Sequence, residues 1–255
     1  DVKEARAVAK LLIEINAYDA EAWYFLGGLN IILGELDEAQ KNLFRSLELG
    51  GEKLANYILL ANVYANQGKF KEALIWSYKA RKCDPKNVFV YRRIADLHLQ
   101  DGDTVKAIKV LQQLLKIPSI KDNDLYSALV EIGNLCMQTQ RMNKALEYFK
   151  AAQKINSSDT DLLTNIGHCL SRSGNLEGAL NTFKIAANLD PNPFNLYNLG
   201  DAYLAVHDPE KAIAPLIEAT RKDPTYSMAH YDLSLAFIMM KKYSEGATAA
   251  IAALR

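Results

Sequence analysis

The residues of this chain best suited to bond-making or metal chemistry are its four histidines and three cysteines. His98, His168, His207 and His230 include no i, i+4 pair, the spacing that lets one helix face offer two imidazoles to a metal. His168 adjoins Cys169, and Cys136 sits at a neighbouring place in the preceding segment. Together they supply three donors where structural zinc takes four. Cys83, Cys136 and Cys169 form no C-x-x-C and are too few and too scattered for a disulfide framework. They read as reduced, buried thiols. Asp122 and Asp124 fall in a segment that reads as a loop, where carboxylates are solvated rather than poised for acid–base work. Asn156-Ser157-Ser158 fits the glycosylation sequon, a triplet that also arises by chance. No dinucleotide or phosphate-binding glycine motif, nucleophile elbow or H-E-x-x-H is present. The expectation is no catalytic residue, no metal and no cofactor.

Composition narrows the classes further. Lys and Arg number 30, Asp and Glu number 30, and the formal net charge is zero. Binding nucleic acid by bulk positive charge is therefore not expected. Apolar residues make up 49% of the chain and charged residues 24%, the balance of a folded protein. The run from Ala236 to Met240 ends at Lys241, far short of the ~18 residues of a membrane span. No signal-like segment opens the chain, so a cytoplasmic location is the expectation. The first residue, Asp1, marks a start at which a targeting segment could have been trimmed.

The elements that must position any site come from an internal repeat. A small residue follows an apolar one at Gly27, Ala61, Ala95, Gly133, Gly167, Gly200 and Ser234, at separations of 34, 34, 38, 34, 33 and 34. A second small residue trails each by 12: Ala39, Ala73, Ala107, Ala145, Ala179, Ala212 and Gly246. Between the series, apolar residues recur with helical spacing, as in Trp23, Leu26, Gly27, Asn30 and Leu33. Gly34, Gly68, Gly102 or Gly174 then breaks the helix, and a second helix follows. In the corresponding places Gln140 and Lys241 replace glycine. Asp84-Pro85, Asp190-Pro191 and Asp223-Pro224 close second helices, since proline disfavours helix at the residue before it. Each unit is thus a hairpin of two helices held close by small residues.

A helical hairpin of this length resembles the tetratricopeptide repeat (TPR) family, on particular residues. Residues 20–27 read Ala-Glu-Ala-Trp-Tyr-Phe-Leu-Gly. The second unit carries Tyr57, Leu60, Ala61, Tyr64, Gly68, Phe70, Ala73, Ala80 and Pro85, and the fifth carries Leu163, Ile166, Gly167, Gly174, Ala179, Phe183, Ala186 and Pro191. The resemblance implies an all-α, right-handed superhelical solenoid over residues 1–255, one domain of about seven and a half repeats. Units start near 20, 54, 88, 126, 160, 193 and 227, with residues 1–19 as the second helix of an earlier repeat. The four extra residues around 118–124 are expected to bulge as a loop. The short last unit suggests a piece of a longer array. His98 aligns with an aromatic core position and His168 with the groove face.

In the family the first helix of each unit lines a concave surface. Carried onto this chain, the resemblance implies partner-binding candidates Tyr24, Asn62, Arg92, Arg93, Asp96, Asn134, Gln138, Asn165, His168, Arg172, Tyr197, Asn198 and Tyr231. Asp201 and Asp232 belong to the same lining. The asparagines suit a peptide backbone, and Arg92, Arg93 and Arg172 depart from the family consensus. Their counterparts would be an acidic group on a partner or a nearby carboxylate such as Asp96 or Glu131. The carboxylate clamp of chaperone-binding members is not implied, because Tyr24, Gly28, Ile58, Asp96 and Glu131 break its pattern. The resemblance implies a non-catalytic scaffold that binds a partner protein or peptide, with neither nucleic acid nor membrane insertion. Two further readings are a substrate-recruiting arm of an enzyme such as an O-linked N-acetylglucosamine transferase, and end-to-end self-association. The second would use Ala236, Phe237, Met240 and Ala247 at one end and an unpartnered helix over residues 1–15 at the other.

Overall fold

The computed structural model describes residues 1–118 and 120–254, and in them every regular element is an α-helix. The chain divides into two compact units, residues 1–121 and 122–255. The first holds α1 (Val2–Ile15) and three hairpins: α2 (Ala20–Ile32) with α3 (Leu36–Glu48), α4 (Lys53–Asn66) with α5 (Phe70–Cys83), and α6 (Val88–Gln100) with α7 (Thr104–Leu114). The second holds four: α8 (Asp122–Gln138) with α9 (Met142–Gln153), α10 (Thr160–Arg172) with α11 (Leu176–Leu189), α12 (Pro193–Ala205) with α13 (Pro209–Lys222), and α14 (Ser227–Met239) with α15 (Tyr243–Ala253). In both units each helix packs on its hairpin mate and on the helix that follows, which is solenoid stacking.

Short polar side chains start these helices. Asp19, Asn87, Asp159 and Asn192 accept hydrogen bonds from the first-turn N–H groups of α2, α6, α10 and α12. Pro193 and Pro209 sit at first-turn positions whose N–H groups have no helical partner. The segment expected to bulge behaves differently. Asp122 and Asp124 lie in the first turn of α8, which starts four residues before the repeat register at 126. Their charges favour that position, beside the positive end of the helix dipole. The insertion therefore lengthens a helix from residue 122 onward; Ser119, also assigned to the bulge, lies outside the described residues.

The hairpin turns share one backbone conformation. Gly34, Gly68, Gly102 and Gly174 have φ between 74° and 82°, and Gln140, His207 and Lys241 adopt φ of 58–60° in the equivalent place. Gln140 and Lys241 are legible as replacements in the sequence, whereas His207 is masked by the one-residue-shorter sixth unit. A side chain in the left-handed region costs roughly 1–2 kcal/mol. Gln140→Gly, His207→Gly and Lys241→Gly are each expected to stabilise the chain by about 0.5–1 kcal/mol, after the added freedom of the unfolded state is subtracted. Urea denaturation of the single variants checks this, and a loss of stability in any of them would contradict the turn assignment.

The core of each unit is a file of aliphatic and aromatic side chains between helices. Leu43, Leu60, Ile94, Leu97 and Leu111 are fully buried in the first unit; Ile132, Phe149, Leu162 and Leu216 are in the second. His98 is buried among them, 5% exposed, with Nε2 3.0 Å from the Tyr78 hydroxyl. Cys136 and Cys169 are buried, but Cys83 is exposed at the last residue of α5, where the helix has turned it to solvent. Two expectations for the ends also change. Ala236 is fully buried because α14 packs against α13 and α15, with Phe237 and Met240 half-covered. Helix α1 is not unpartnered: it packs on α2, buries Ala9 and pairs Arg6 with Glu35, leaving Val8, Leu11 and Ile15 exposed.

Candidate functional site

In each unit some first helices of successive hairpins pack on one another. Helix α10 packs on α12, α12 on α14, and α2 on α4, whereas the second helices show no comparable packing among the described residues. Elements on the inner side of a curved stack lie closer than those on the outer side. The first helices therefore line the concave face of each unit.

In residues 122–254 this face is a graded polar strip. Asn165 Nδ2 donates to Asn134 Oδ1 at 3.3 Å, joining α10 to α8. Beside them an open cleft of about 330 Å³ is lined by Met137, Gln138, His168 and Arg172. Gln138 and Arg172 are exposed, and His168 is half-buried. The His168 ring stands edge-on to Phe183, centroids 5.2 Å apart, with Phe194 at 6.4 Å. Burial chiefly, and then the charge of Arg172, push the His168 imidazole below its usual pKa, against the opposite pull of Asp201. His168 is therefore neutral at neutral pH, and Arg172 carries the positive charge of the cleft.

Further along, the strip turns acidic. Asn198 is 2% exposed and its Nδ2 has no hydrogen-bond partner. Asp201 is exposed, yet crowding by the inner face raises its carboxyl pKa, an effect that His168 opposes. Asp232 is 8% exposed with Oδ2 unpartnered, and desolvation, helped by the charge of Asp201, pushes its carboxyl up to about 6. Tyr197 and Tyr226 lie together, ring centroids 5.1 Å apart, and both phenols are raised by burial and by Asp232. Tyr231 is 64% exposed.

The second unit thus gathers Asn134, Gln138, Asn165, His168 and Arg172 around one cleft, and Tyr197 and Asn198 with Asp201 and Asp232 further on. In the first unit Tyr24 is committed to packing: it lies against the core around Leu43 and Leu60, its ring 5.5 Å from Phe25. Asn62 is half-buried on α4. Arg92 and Arg93 are half-buried on α6, and Arg93 borders a small apolar cavity with Ile58, Phe89 and Val90, its Nε without a partner. Asp96 is exposed; desolvation raises its carboxyl despite the opposing charges of Arg93 and Arg92. Sequence reasoning placed Asp201 and Asp232 on the lining without marking them as site residues. The available signal was an acid at the two positions that hold Asn165 and His168 in the fifth unit.

Family models described as tetratricopeptide repeat match residues 126–159, 160–193 and 197–255. The chain is 27% identical over 235 residues to the BBSome complex member BBS4 of Bos taurus, covering 92% of this chain and 44% of that protein. It is 23% identical over 198 residues to anaphase-promoting complex subunit 3 of Schizosaccharomyces pombe, covering 77% and 29%. It spans less than half the length of either curated relative. Among solved structures, it is similar to the C-terminal part of a TPR repeat-containing protein from Cytophaga hutchinsonii, with TM-score 0.77, 15% identity, and coverage of 91% and 94%. It also resembles YrrB, described as a TPR protein with an unusual peptide-binding site, with TM-score 0.55, 24% identity, and coverage of 68% and 88%.

Proposed function

The chain is a tetratricopeptide repeat protein, and from that premise we propose that it is a protein-interaction scaffold whose inner helices receive a segment of a partner inside a larger assembly. The observation that carries this reading is the cleft on α8 and α10, where Gln138 and Arg172 stand open beside the joined Asn134 and Asn165. Amide side chains can pair with a peptide backbone, and one exposed guanidinium fixes an acidic group on the segment. The relatives support the setting, since two of them are named as members of multi-subunit complexes. Binding needs no chemistry from the chain itself, and the neutral His168 serves as an apolar wall packed on Phe183.

A photo-cross-linking residue at Gln138 tests this in cells, with the same residue at exposed Asn181 on α11 as the outer-face control. Cross-links to a defined protein partner are expected from Gln138 and not from Asn181. Arg172→Glu is expected to weaken capture at Gln138 by about tenfold, ~1.4 kcal/mol. Cross-linking confined to Asn181 would overturn the inner-face reading.

A further inference from the structure

The first helices α12 and α14 carry two acids, Asp201 and Asp232. Desolvation and the like charge of Asp201 act on Asp232, while desolvation and, in the opposite sense, His168 act on Asp201. Neither acid forms an ion pair among the described residues. Asp232 is more than nine-tenths buried, and its Oδ2 finds no donor. One helical turn before Asp201, on the same face of α12, buried Asn198 also ends in an unpartnered atom, the donor Nδ2. Such groups are costly to bury unless something completes their hydrogen bonds. The repeat core does not require an acid here, because the equivalent place in the fifth and sixth units is held by Asn165 and Asn198.

The missing partner is defined by what remains unsatisfied. Two acceptors of like charge call for a cation that donates several hydrogen bonds. The adjoining donor on Asn198 calls for a carbonyl. A basic side chain carried on a peptide supplies both. The rings of Tyr197 and Tyr226 lie together, the charge of Asp232 reaches both and that of Asp201 reaches Tyr197, and aromatic faces attract cations. Asp201 is open to solvent and Asp232 is buried, so Asp201 offers the way in.

We propose that Asp201 and Asp232, with Tyr197, Tyr226 and Asn198, form a receptor for one basic side chain, Arg or Lys, on a partner segment lying against α12 and α14. This deepens the inner-face reading and rests on it. It also gives that face a polarity: an acid of the partner is drawn to Arg172 on α10, and a base to the pair on α12 and α14. A bound segment therefore has one favoured direction.

The test uses the 255-residue chain, labelled for NMR, and blocked peptides that are uncharged except for one central residue: Arg, Lys, Gln or Glu. Arg and Lys peptides are expected to give saturable shifts centred on Asn198, Asp201 and Asp232, while Gln and Glu peptides give none there. Asp201→Asn and Asp232→Asn are each expected to weaken Arg-peptide binding about tenfold or more and to leave the shifts of any peptide at Gln138 and His168 unchanged. Equal binding of the Arg and Gln peptides, or an Arg peptide that does not bind, overturns the proposal. Shifts at Gln138 and His168 with none at Asp232 would overturn it while leaving the inner-face reading standing. Loss of the Gln138 cross-links in cells would instead remove the inner-face reading itself.

Discussion

Truncating Phe149 to Ala is expected to cost about 3–5 kcal/mol, among the largest losses available to a single side chain in this protein. Phe149 is fully buried, and its ring lies directly over Gly133 of the facing helix: a Cβ added to Gly133 would stand 2.4 Å from the ring. The missing Cβ of one helix is the space that the ring of the other fills. Gly133→Ala should therefore also destabilise, by about 1–3 kcal/mol, because a rigid ring in a full core cannot step aside. The same contact, sixteen residues apart, recurs in three other hairpins. Gly27 lies under Leu43, with a built Cβ at 2.8 Å. Gly167 lies under Phe183, and Gly200 under Leu216, with a built Cβ at 2.5 Å and 2.4 Å. Where the first position already carries a Cβ the second shrinks, as in Ala61 with Ser77 and Ser234 with Ala250, although Ala95 keeps Leu111. Size complementarity across this contact predicts non-additivity. Gly133→Ala combined with Phe149→Ser should cost less than the sum of the two single changes, by about 1 kcal/mol or more. Urea unfolding of the four members of the cycle measures it, and strict additivity would mean that the two positions do not share a space.

This contact shows how far the sequence was legible. The glycines that recur with the repeat could be read as points of close approach, because a small residue at fixed register in a helix has few other uses. The partner that each admits could not, since Phe149, Phe183 and Leu216 become its neighbours only when the hairpin closes. The insertion before residue 126 reads as a loop for a related reason: Asp122 and Asp124 look solvated in isolation, and only their place at the start of α8 turns them into helix-favouring charges. Register alone assigns the candidate asparagines and arginines to first helices. What register hides is burial. Tyr24 and Tyr231 hold equivalent positions, yet Tyr24 is half-buried against the core and Tyr231 is 64% exposed. Asp232 occupies the same register as Asn165 and Asn198, and nothing in the residue order says that it is 8% exposed without a partner for Oδ2.

That buried carboxyl makes the second large prediction, Asp232→Asn. Desolvation raises the folded-state pKa of Asp232 from 3.8 to about 6, with Asp201 adding like-charge repulsion. The folded chain thus holds this proton to higher pH than the unfolded chain does. Protonation favours folding, so the stability linked to Asp232 is fully present below about pH 4 and declines as pH rises to about 6. At 1.36 kcal/mol per pKa unit, ionisation at neutral pH costs the free protein about 3 kcal/mol. Asparagine keeps the shape and removes the charge. Asp232→Asn is expected to stabilise the free chain by about 2–3 kcal/mol at pH 7, with the gain shrinking to near zero at pH 4. Asp201, Tyr197 and Tyr226 remain in the variant, so the difference between the two proteins reports the Asp232 charge together with its repulsion of Asp201. Equal stability at pH 7 would show that the carboxyl is not held in an unfavourable place. The prediction also separates a structural from a binding role. An acid kept for packing should lose stability when neutralised, whereas one kept for a cationic partner should gain it and lose the partner. A destabilised free chain would assign the acid to packing; a stabilised chain that no longer binds the Arg peptide is the signature of a charge retained for recognition.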